Sequence, residues 1–329
     1  MLLEVKNLKI ALKTDESSIS IVDGVDLSLE PGKVLGLVGE SGCGKSVTAL
    51  SLLRLLPKEL TLVDGTILFY GKNGDGAIDI ATLKPRGRDI QSIRGGTVSM
   101  IFQEPMSSFS PLHTIGYQIM EVIQLHLNAT KEEARAMAID FLARVGIGDA
   151  EHAIDSYPHE FSGGMRQRAM IAKALSCNPL LLIADEPTTA LDVTIQAQII
   201  RLMGDMQQAT GSSIIYISHN LGVVGQIADE VAIMYIGKII EQGPTKAIFK
   251  TPKHPYTVNL LAAIPRIGDL GARKRLEPIR GTVPSIFSRP SGCGFHPRCL
   301  SAMPGICDAA FPELKQVTGN HWAACHLYT

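Results

Sequence analysis

One segment constrains the fold more than any other, because it matches the pattern G-x-x-x-x-G-K-[ST]: it reads Gly39-Glu40-Ser41-Gly42-Cys43-Gly44-Lys45-Ser46. The apolar residues 34–38 before it predict a buried strand, and the residues from Lys45 to Leu56 predict a helix that Pro57 stops. Glycines let backbone N–H groups converge on crowded negative charges, and the helix adds its positive N-terminal end. The sequence therefore predicts a polyphosphate site, in which Lys45 reaches the β- and γ-phosphates and Ser46 holds Mg²⁺.

Length and composition narrow the class of protein. The 329 residues suffice for one large domain with an appendage or for two ordinary domains, and the hydrophobic fraction of 45% supplies a core. A net charge of −1 gives no basic excess that would point to nucleic acid. Glu4, Lys6 and Lys9 interrupt the N-terminal apolar residues, and no apolar run approaches the roughly 18 residues of a membrane helix. We therefore expect a soluble protein without a nucleic acid partner, and any membrane role must come through other subunits.

Apolar strands and amphipathic helices alternate along most of the chain. The sequence predicts strands at 180–184 and 213–218, and helices at 115–127, 131–145, 163–176 and 193–208. This alternation predicts an α/β fold with a parallel sheet. After about residue 250, Pro, Gly, Arg and Cys become frequent and the periodicity fades, which indicates a C-terminal appendage.

A second cluster of candidate site residues follows the strand at 180–184. Asp185 and Glu186 come directly after it, where open α/β sheets place their sites. Asp185 is predicted to hold Mg²⁺ through water, and Glu186 to polarise the attacking water. His219 follows the strand at 213–218 and could contact the γ-phosphate and orient water. The alternative is that the two acids cap a helix start and that His219 is an ordinary loop residue.

Further motifs resemble those of the ABC nucleotide-binding domain, a P-loop NTPase fold. Phe161-Ser-Gly-Gly-Met-Arg-Gln-Arg168 resembles the ABC signature, Gln103 the Q-loop glutamine, Thr189-Ala-Leu-Asp192 the D-loop, and His219 the switch histidine. They occur in the order of that family. The resemblance covers about residues 2 to 250, so we expect an ABC nucleotide-binding domain at 1–250, with a helical subdomain at about 104–162.

The resemblance also implies how the site works. Two such domains meet head to tail, so that Ser162, Gly163, Gly164 and Met165 of one subunit contact ATP bound to residues 39–46 of the other, with Asp192 nearby. Gln103 joins Ser46 and Asp185 as a Mg²⁺ ligand, and Gln103, Glu186 and His219 are the expected catalytic residues. ATP binding closes the dimer and hydrolysis opens it, which drives the membrane subunits.

Two short segments resemble the dipeptide and oligopeptide importers within this family: Ile195-Gln-Ala-Gln-Ile199 and His254-Pro-Tyr-Thr257. This resemblance implies two integral-membrane permease subunits, a second ABC ATPase subunit that forms a heterodimer, an extracytoplasmic solute-binding protein, and a peripheral location on the cytoplasmic face of the inner membrane. Nickel complexes and oligosaccharides are alternative cargoes. A non-transport ABC-type ATPase and an iron–sulfur sensor are alternative functions.

The last part of the chain, 251–329, contains a cysteine-rich tail with the spacing Cys293-x5-Cys299-x7-Cys307-x17-Cys325. Structural zinc usually has tight C-x2–4-C pairs, which are absent here, whereas an iron–sulfur cluster tolerates wider spacing. The resemblance to peptide-importer ATPases implies a [4Fe–4S] cluster on these cysteines. Zinc and four reduced, packed thiols remain alternatives, and His296, His321 or His326 could replace a thiolate.

Overall fold

A computed structural model of the chain describes residues 1–14, 18–71, 76–103, 109–188, 192–264 and 279–328. The chain divides into two compact units. The first unit comprises Met1–Leu2, Leu29–Val34 and Phe69–Ile217, and the second comprises Leu3–Ser28, Leu35–Leu68 and Ser218–Thr329. Each unit therefore contains segments that are far apart in the sequence.

The described strands are β1 (Leu3–Lys13), β2 (Ser18–Leu29), β3 (Val34–Val38), β4 (Leu60–Tyr70), β5 (Ala77–Asp79), β6 (Val98–Ile101), β7 (Leu181–Asp185), β8 (Ser213–Ser218), β9 (Glu230–Tyr235), β10 (Lys238–Pro244), β11 (Lys315–Thr318) and β12 (His321–Ala323).

The described helices are α1 (Lys45–Leu52), α2 (Arg88–Ile93), α3 (Ile115–Leu127), α4 (Lys131–Arg144), α5 (Ala150–Ala153), α6 (Gly163–Leu175), α7 (Val193–Thr210), α8 (Leu221–Val224), α9 (Thr245–Lys250) and α10 (Pro255–Ala262). The alternation of strands and helices confirms the predicted α/β class. Within the described ranges, none of the helices combines the length and the apolar character that a membrane crossing requires.

In the first unit, a parallel sheet brings β7 between β6 and β8. Val98 pairs with Leu181, and Leu181 pairs with Ser213. Every residue of β7 and β8 is buried, which is why these strands read as continuous apolar runs rather than as alternating ones. The last residue of β7 is Asp185, so the sheet delivers a carboxylate to its C-terminal edge.

The longer helices of the first unit begin where the sequence supplies side-chain caps. The Thr114 hydroxyl accepts the Tyr117 N–H at the start of α3. Thr130 and Glu133 form a reciprocal capping box at the start of α4. The bounds of α3 and α4 agree with the predicted helices to within one residue, because these caps and the apolar stripes are local features of the sequence.

The second unit contains two sheets. In one, β1 lies between β2 and β4. In the other, β3 pairs in parallel with β9, and β9, β10, β12 and β11 follow in antiparallel order. A Cβ on Gly36, in the middle of β3, would lie only 2.0 Å from a Val224 methyl carbon. Glycine at this position therefore lets α8 pack closely against β3.

Helix α1 is shorter than the sequence predicts. The prediction extended it to Leu56, but it ends at Leu52. Arg54 adopts a left-handed conformation with φ 54°, and the Leu55 N–H returns to the Leu50 carbonyl. This turn closes the helix before Pro57, so the proline is not what ends it.

The buried carboxylate of Glu241, on β10, connects this strand to the chain around residue 254 and to β12. Glu241 has no exposed surface, and its two oxygens accept the N–H groups of Lys253 (2.7 Å) and His254 (2.8 Å). His321 Nε2 lies 2.7 Å from the first of these oxygens. A buried carboxylate is stable only when such hydrogen bonds replace water, so the three partners and Glu241 depend on one another.

We predict that Glu241→Gln lowers the free energy of unfolding by about 1–3 kcal/mol. Both carboxylate oxygens accept backbone N–H groups, so the amide of glutamine must turn its NH₂ toward one of these donors. Urea unfolding at neutral pH measures the difference.

Asp140→Asn is the matched control, because the Asp140 side chain is 51% exposed in its pair with Arg144. It should cost no more than about 0.5 kcal/mol. Equal effects of the two substitutions would contradict the importance of the buried carboxylate.

Candidate functional site

The phosphate loop, residues 39–46, joins β3 to α1 through glycines in conformations that other residues avoid. Gly42 and Gly44 have φ values of 79° and 107°. A Cβ on Gly39 would lie 2.2 Å from the Met234 carbonyl oxygen. Gly44 is the cap residue of α1 and offers no side-chain acceptor to the first N–H groups of the helix. Those N–H groups are therefore suited to an external anion.

Lys45 is buried, and its ammonium group lies against the loop itself. Nζ donates to the carbonyl oxygens of Gly39 at 2.8 Å and Glu40 at 3.1 Å, and lies 3.8 Å from Cys43 Sγ. Burial raises the pKa of the Cys43 thiol, which therefore stays neutral. The loop thus holds one cation beside its N–H groups, and the half-buried Ser46 follows as the second residue of α1.

The acidic pair predicted from the sequence lies at the end of β7. Asp185 and Glu186 are both buried. Glu186 has φ 48°, a strained conformation for a residue with a side chain, and its N–H donates to the Ile217 carbonyl at 3.0 Å. Gln103 Nε2 lies 3.5 Å from Glu186 Oε2. The fold therefore brings together two of the three predicted catalytic residues.

The predicted signature residues form the exposed start of α6. Ser162 is the cap residue, and its hydroxyl accepts the Met165 N–H at 3.3 Å. A Cβ on Gly163 would meet nothing within 4 Å, and one on Gly164 would meet only the Ile195 side chain, at 3.5 Å. A hydroxyl and the N-terminal N–H groups of a 13-residue helix are thus accessible at one point.

His219 and Asp192 occupy exposed positions at element ends. His219 follows β8 directly, and Asp192 caps α7 by accepting the Ile195 N–H at 2.9 Å. The other D-loop residues, Thr189 to Leu191, lie outside the described residues.

Sequence reasoning did not single out a polar network behind the acidic pair. Gln167 on α6 is fully buried and donates to the Pro187 carbonyl. Gln196 Nε2 donates to the Thr188 hydroxyl at 3.1 Å, and that hydroxyl lies 3.4 Å from Tyr216 Oη. Burial raises the pKa of Tyr216 to about 12, so its hydroxyl stays neutral. The one sequence signal for this network was Gln167, a polar residue on the otherwise apolar face of α6.

The four cysteines of the tail line one cavity in the second unit, together with His254, Phe295 and Met303: they are Cys293, Cys299, Cys307 and Cys325. All four are free thiols. Burial, followed by repulsion from the other thiols, raises the pKa of Cys293 to about 11, and burial also raises the pKa of Cys299 and Cys325. Thiols that resist deprotonation in this way need a bound cation to become thiolates.

The histidines near the cavity differ from the prediction. His321 is hydrogen-bonded to Glu241 and does not line the cavity. His296 and His326 line the cavity, as predicted. His254 also lines it, although it was not among the histidines predicted as replacements for a thiolate, and burial lowers its pKa to about 3. Among the described residues, no group of three or more His, Cys, Asp or Glu side chains is arranged to hold a metal ion.

Family models match two parts of this chain. The ABC transporter model matches residues 22–189, and the model of the oligopeptide/dipeptide transporter C-terminal region matches residues 240–307. The first match contains the phosphate loop and Asp185, and the second contains His254 and three of the four cysteines.

Relatives align over almost the whole chain. A putative peptide import ATP-binding protein of Brucella melitensis is 48% identical over 98% of this chain and 96% of its own length. The dipeptide transport ATP-binding protein DppD of Bacillus subtilis is 46% identical over 99% of this chain and 94% of its own length.

Solved structures share the fold. The ATP-binding cassette MJ0796, in a dimeric post-hydrolysis state bound to ADP and Pi, has a TM-score of 0.64 at 23% identity and covers 74% of this chain and 99% of its own. At this identity the likeness concerns the fold alone, and the family follows from the sequence matches. The chain belongs to the ABC transporter family of ATPases and carries the C-terminal region of its oligopeptide/dipeptide transporters.

Proposed function

We propose that this chain is the ATP-hydrolysing subunit of an ABC importer that takes up dipeptides or oligopeptides. The observation that carries the proposal is similarity to peptide import ATP-binding proteins through both the cassette and the C-terminal region. In this proposal residues 1–250 are the nucleotide-binding domain, with a helical subdomain at about 104–162, and residues 251–329 are the C-terminal domain.

The residues of the phosphate loop fit a nucleoside triphosphate. The N–H groups at the start of α1 and the buried Lys45 cation together compensate the charge of a polyphosphate. We assign ATP binding to the whole loop: Gly39, Glu40, Ser41, Gly42, Cys43, Gly44, Lys45 and Ser46.

Three side chains are assigned to Mg²⁺: Ser46, Asp185 and Gln103. Their hydroxyl, carboxylate and amide oxygens are the hard ligands that this ion prefers, and bound Mg²⁺ neutralises charge on the transferred phosphoryl group. Glu186 orients and polarises the attacking water, with His219 as a second positioning group. The contact between Gln103 and Glu186 supports their joint role.

The exposed start of α6 is assigned to ATP held by a second ATPase subunit. Ser162, Gly163, Gly164 and Met165 would provide a hydroxyl and backbone N–H groups, and Asp192 would lie nearby. The exposure of Ser162 and Gly163 supports an intermolecular role. We propose that the second subunit is a different chain, so that the pair is a heterodimer.

Transport requires further subunits in this proposal. Two integral-membrane permease subunits and an extracytoplasmic solute-binding protein complete the importer, and the ATPase works at the cytoplasmic face of the inner membrane. No nucleic acid takes part. Cargo selection belongs to the binding protein and the permease, so nickel complexes or oligosaccharides are the alternative cargoes.

We predict that Glu186→Gln abolishes peptide uptake while the protein still binds ATP. The substitution keeps the shape of the side chain but removes the base, which should slow ATP turnover by about 10²–10⁴-fold. Phosphate release by the purified protein, and uptake of labelled peptides by cells that carry only the variant, measure the two effects.

Glu151→Gln is the control for this experiment, because Glu151 is an exposed acid on α5 of the same unit. It should retain both activities. Normal turnover in Glu186→Gln would contradict the assigned base. Lost turnover with unchanged peptide uptake would contradict peptide import, and parallel uptake assays with nickel and oligosaccharides then identify the alternative cargo.

We also propose that the four cysteines bind a [4Fe–4S] cluster with a structural role. Their position around one cavity supports this, since four thiolates are the usual ligands of such a cluster. In this proposal Cys293, Cys299, Cys307 and Cys325 would hold the cluster, and the cluster would connect the segments of the C-terminal region that carry them. Zinc and four reduced, packed thiols are the alternatives.

We predict that anaerobically purified protein contains iron and acid-labile sulfide in nearly equal amounts. Cys307→Ser should lose most of the iron, whereas Cys177→Ser should keep it, because Cys177 does not line the cavity. Metal analysis and the visible absorption of the cluster provide the measurements. Zinc in place of iron, or no metal in either protein, would refute the cluster.

A further inference from the structure

The phosphate loop contains an acid at a position where its charge opposes the expected ligand. Glu40 is the second residue of the loop, and its carbonyl oxygen already accepts from Lys45 Nζ. A carboxylate and a polyphosphate repel each other strongly at short range inside a protein. A loop that is to bind ATP with this residue therefore needs a cation to compensate the carboxylate.

Arg298 supplies that cation from the C-terminal region. Its Nη1 and Nη2 lie 2.7 Å and 3.2 Å from the two oxygens of Glu40, which is a two-point pairing between guanidinium and carboxylate. The Arg298 side chain is only 4% exposed, whereas that of Glu40 is 24% exposed. Nε donates to the Arg280 carbonyl at 2.9 Å and Nη1 also donates to Tyr235 Oη at 3.1 Å, so the guanidinium group has a fixed orientation.

Aromatic residues hold this pair in place. The rings of Tyr235, Tyr256 and Phe295 contact one another with centroids 4.7–5.5 Å apart. The Arg298 guanidinium lies 6.0 Å from the Tyr235 ring and 5.9 Å from the Phe295 ring. Tyr256 is fully buried, and its hydroxyl accepts the backbone N–H of Glu40 at 3.1 Å. Residues after β8 thus bind both the side chain and the backbone of Glu40.

We propose that Arg298 is a positioning residue of the nucleotide site. It neutralises the Glu40 carboxylate and holds the phosphate loop in the conformation that accepts ATP, so that the C-terminal region contributes directly to nucleotide affinity. This inference rests on the proposed ATP-binding function, and it assigns a role in ATP binding to a region outside the phosphate loop, the acidic pair and the signature residues.

Equilibrium binding of Mg²⁺–ATP to purified protein tests the proposal. Arg298→Met should raise Kd at least about tenfold, because the carboxylate then faces the phosphates without compensation. Adding Glu40→Gln to that variant should bring Kd back to within about threefold of wild type, because no charge remains to be compensated.

Arg289→Met is the matched control. Arg289 is a second arginine of the C-terminal region, with a side chain that is 23% exposed, but it pairs with Asp23 on β2, at 3.0 Å, and not with the phosphate loop. It should leave Kd unchanged. If Arg298→Met does not fold, Arg298→Lys replaces it: this variant keeps the charge but loses the two-point pairing, and its Kd should rise above that of wild type.

Unchanged affinity in the Arg298 variants would overturn the proposal while leaving ATP binding intact. A loss of affinity that Glu40→Gln does not rescue, together with a lowered melting temperature, would overturn it as well, because Arg298 would then act only through stability. Wild-type protein that binds no ATP would refute the proposed function and this inference with it.

Discussion

The phosphate loop has to bring several N–H groups and a cation to one point, and the rest of the structure depends on this requirement. A polyphosphate leaves water only where such groups replace its hydration. Gly39 and Gly44 allow the required backbone path, and Lys45 places its ammonium group against the loop carbonyls. The buried strand β3 and helix α1 fix the two ends of the loop, so the loop does not have to order itself when a ligand arrives.

The C-terminal region is joined to this loop through specific polar contacts. Arg298 and Tyr256 bind Glu40, while Glu241 fixes the segment that carries His254 and Tyr256. These contacts give the region a physical role beside the cysteine cavity that it also contains. Glu40 is the residue that these contacts share, so the phosphate loop and the C-terminal region belong to one connected polar network.

Local features made much of the fold predictable from the sequence. The strand at 34–38 and the helix at 115–127 were both predicted with their observed bounds, because apolar runs and side-chain caps specify them within a few residues. The end of α1 was missed, since it depends on the left-handed conformation of Arg54, a residue that rarely adopts it.

Contacts between distant residues were not predictable in the same way. The sequence placed His321 near the cysteines, but its side chain binds Glu241, which lies 80 positions away. The pairing of Arg298 with Glu40 joins residues 258 positions apart. Periodicity and motif spacing carry no information about such pairs. The phosphate loop itself was found because all of its chemistry lies within eight consecutive residues.

The binding of Mg²⁺–ATP to Lys45→Ala, compared with the wild type and with Lys58→Ala, tests the central claim most directly. Lys58 is an exposed lysine just beyond α1 and serves as the control. Loss of a charge-assisted contact to phosphate should raise Kd about tenfold to a hundredfold in Lys45→Ala and leave it unchanged in Lys58→Ala. Equal affinity in all three proteins would contradict the account, because ATP would then bind without the phosphate loop.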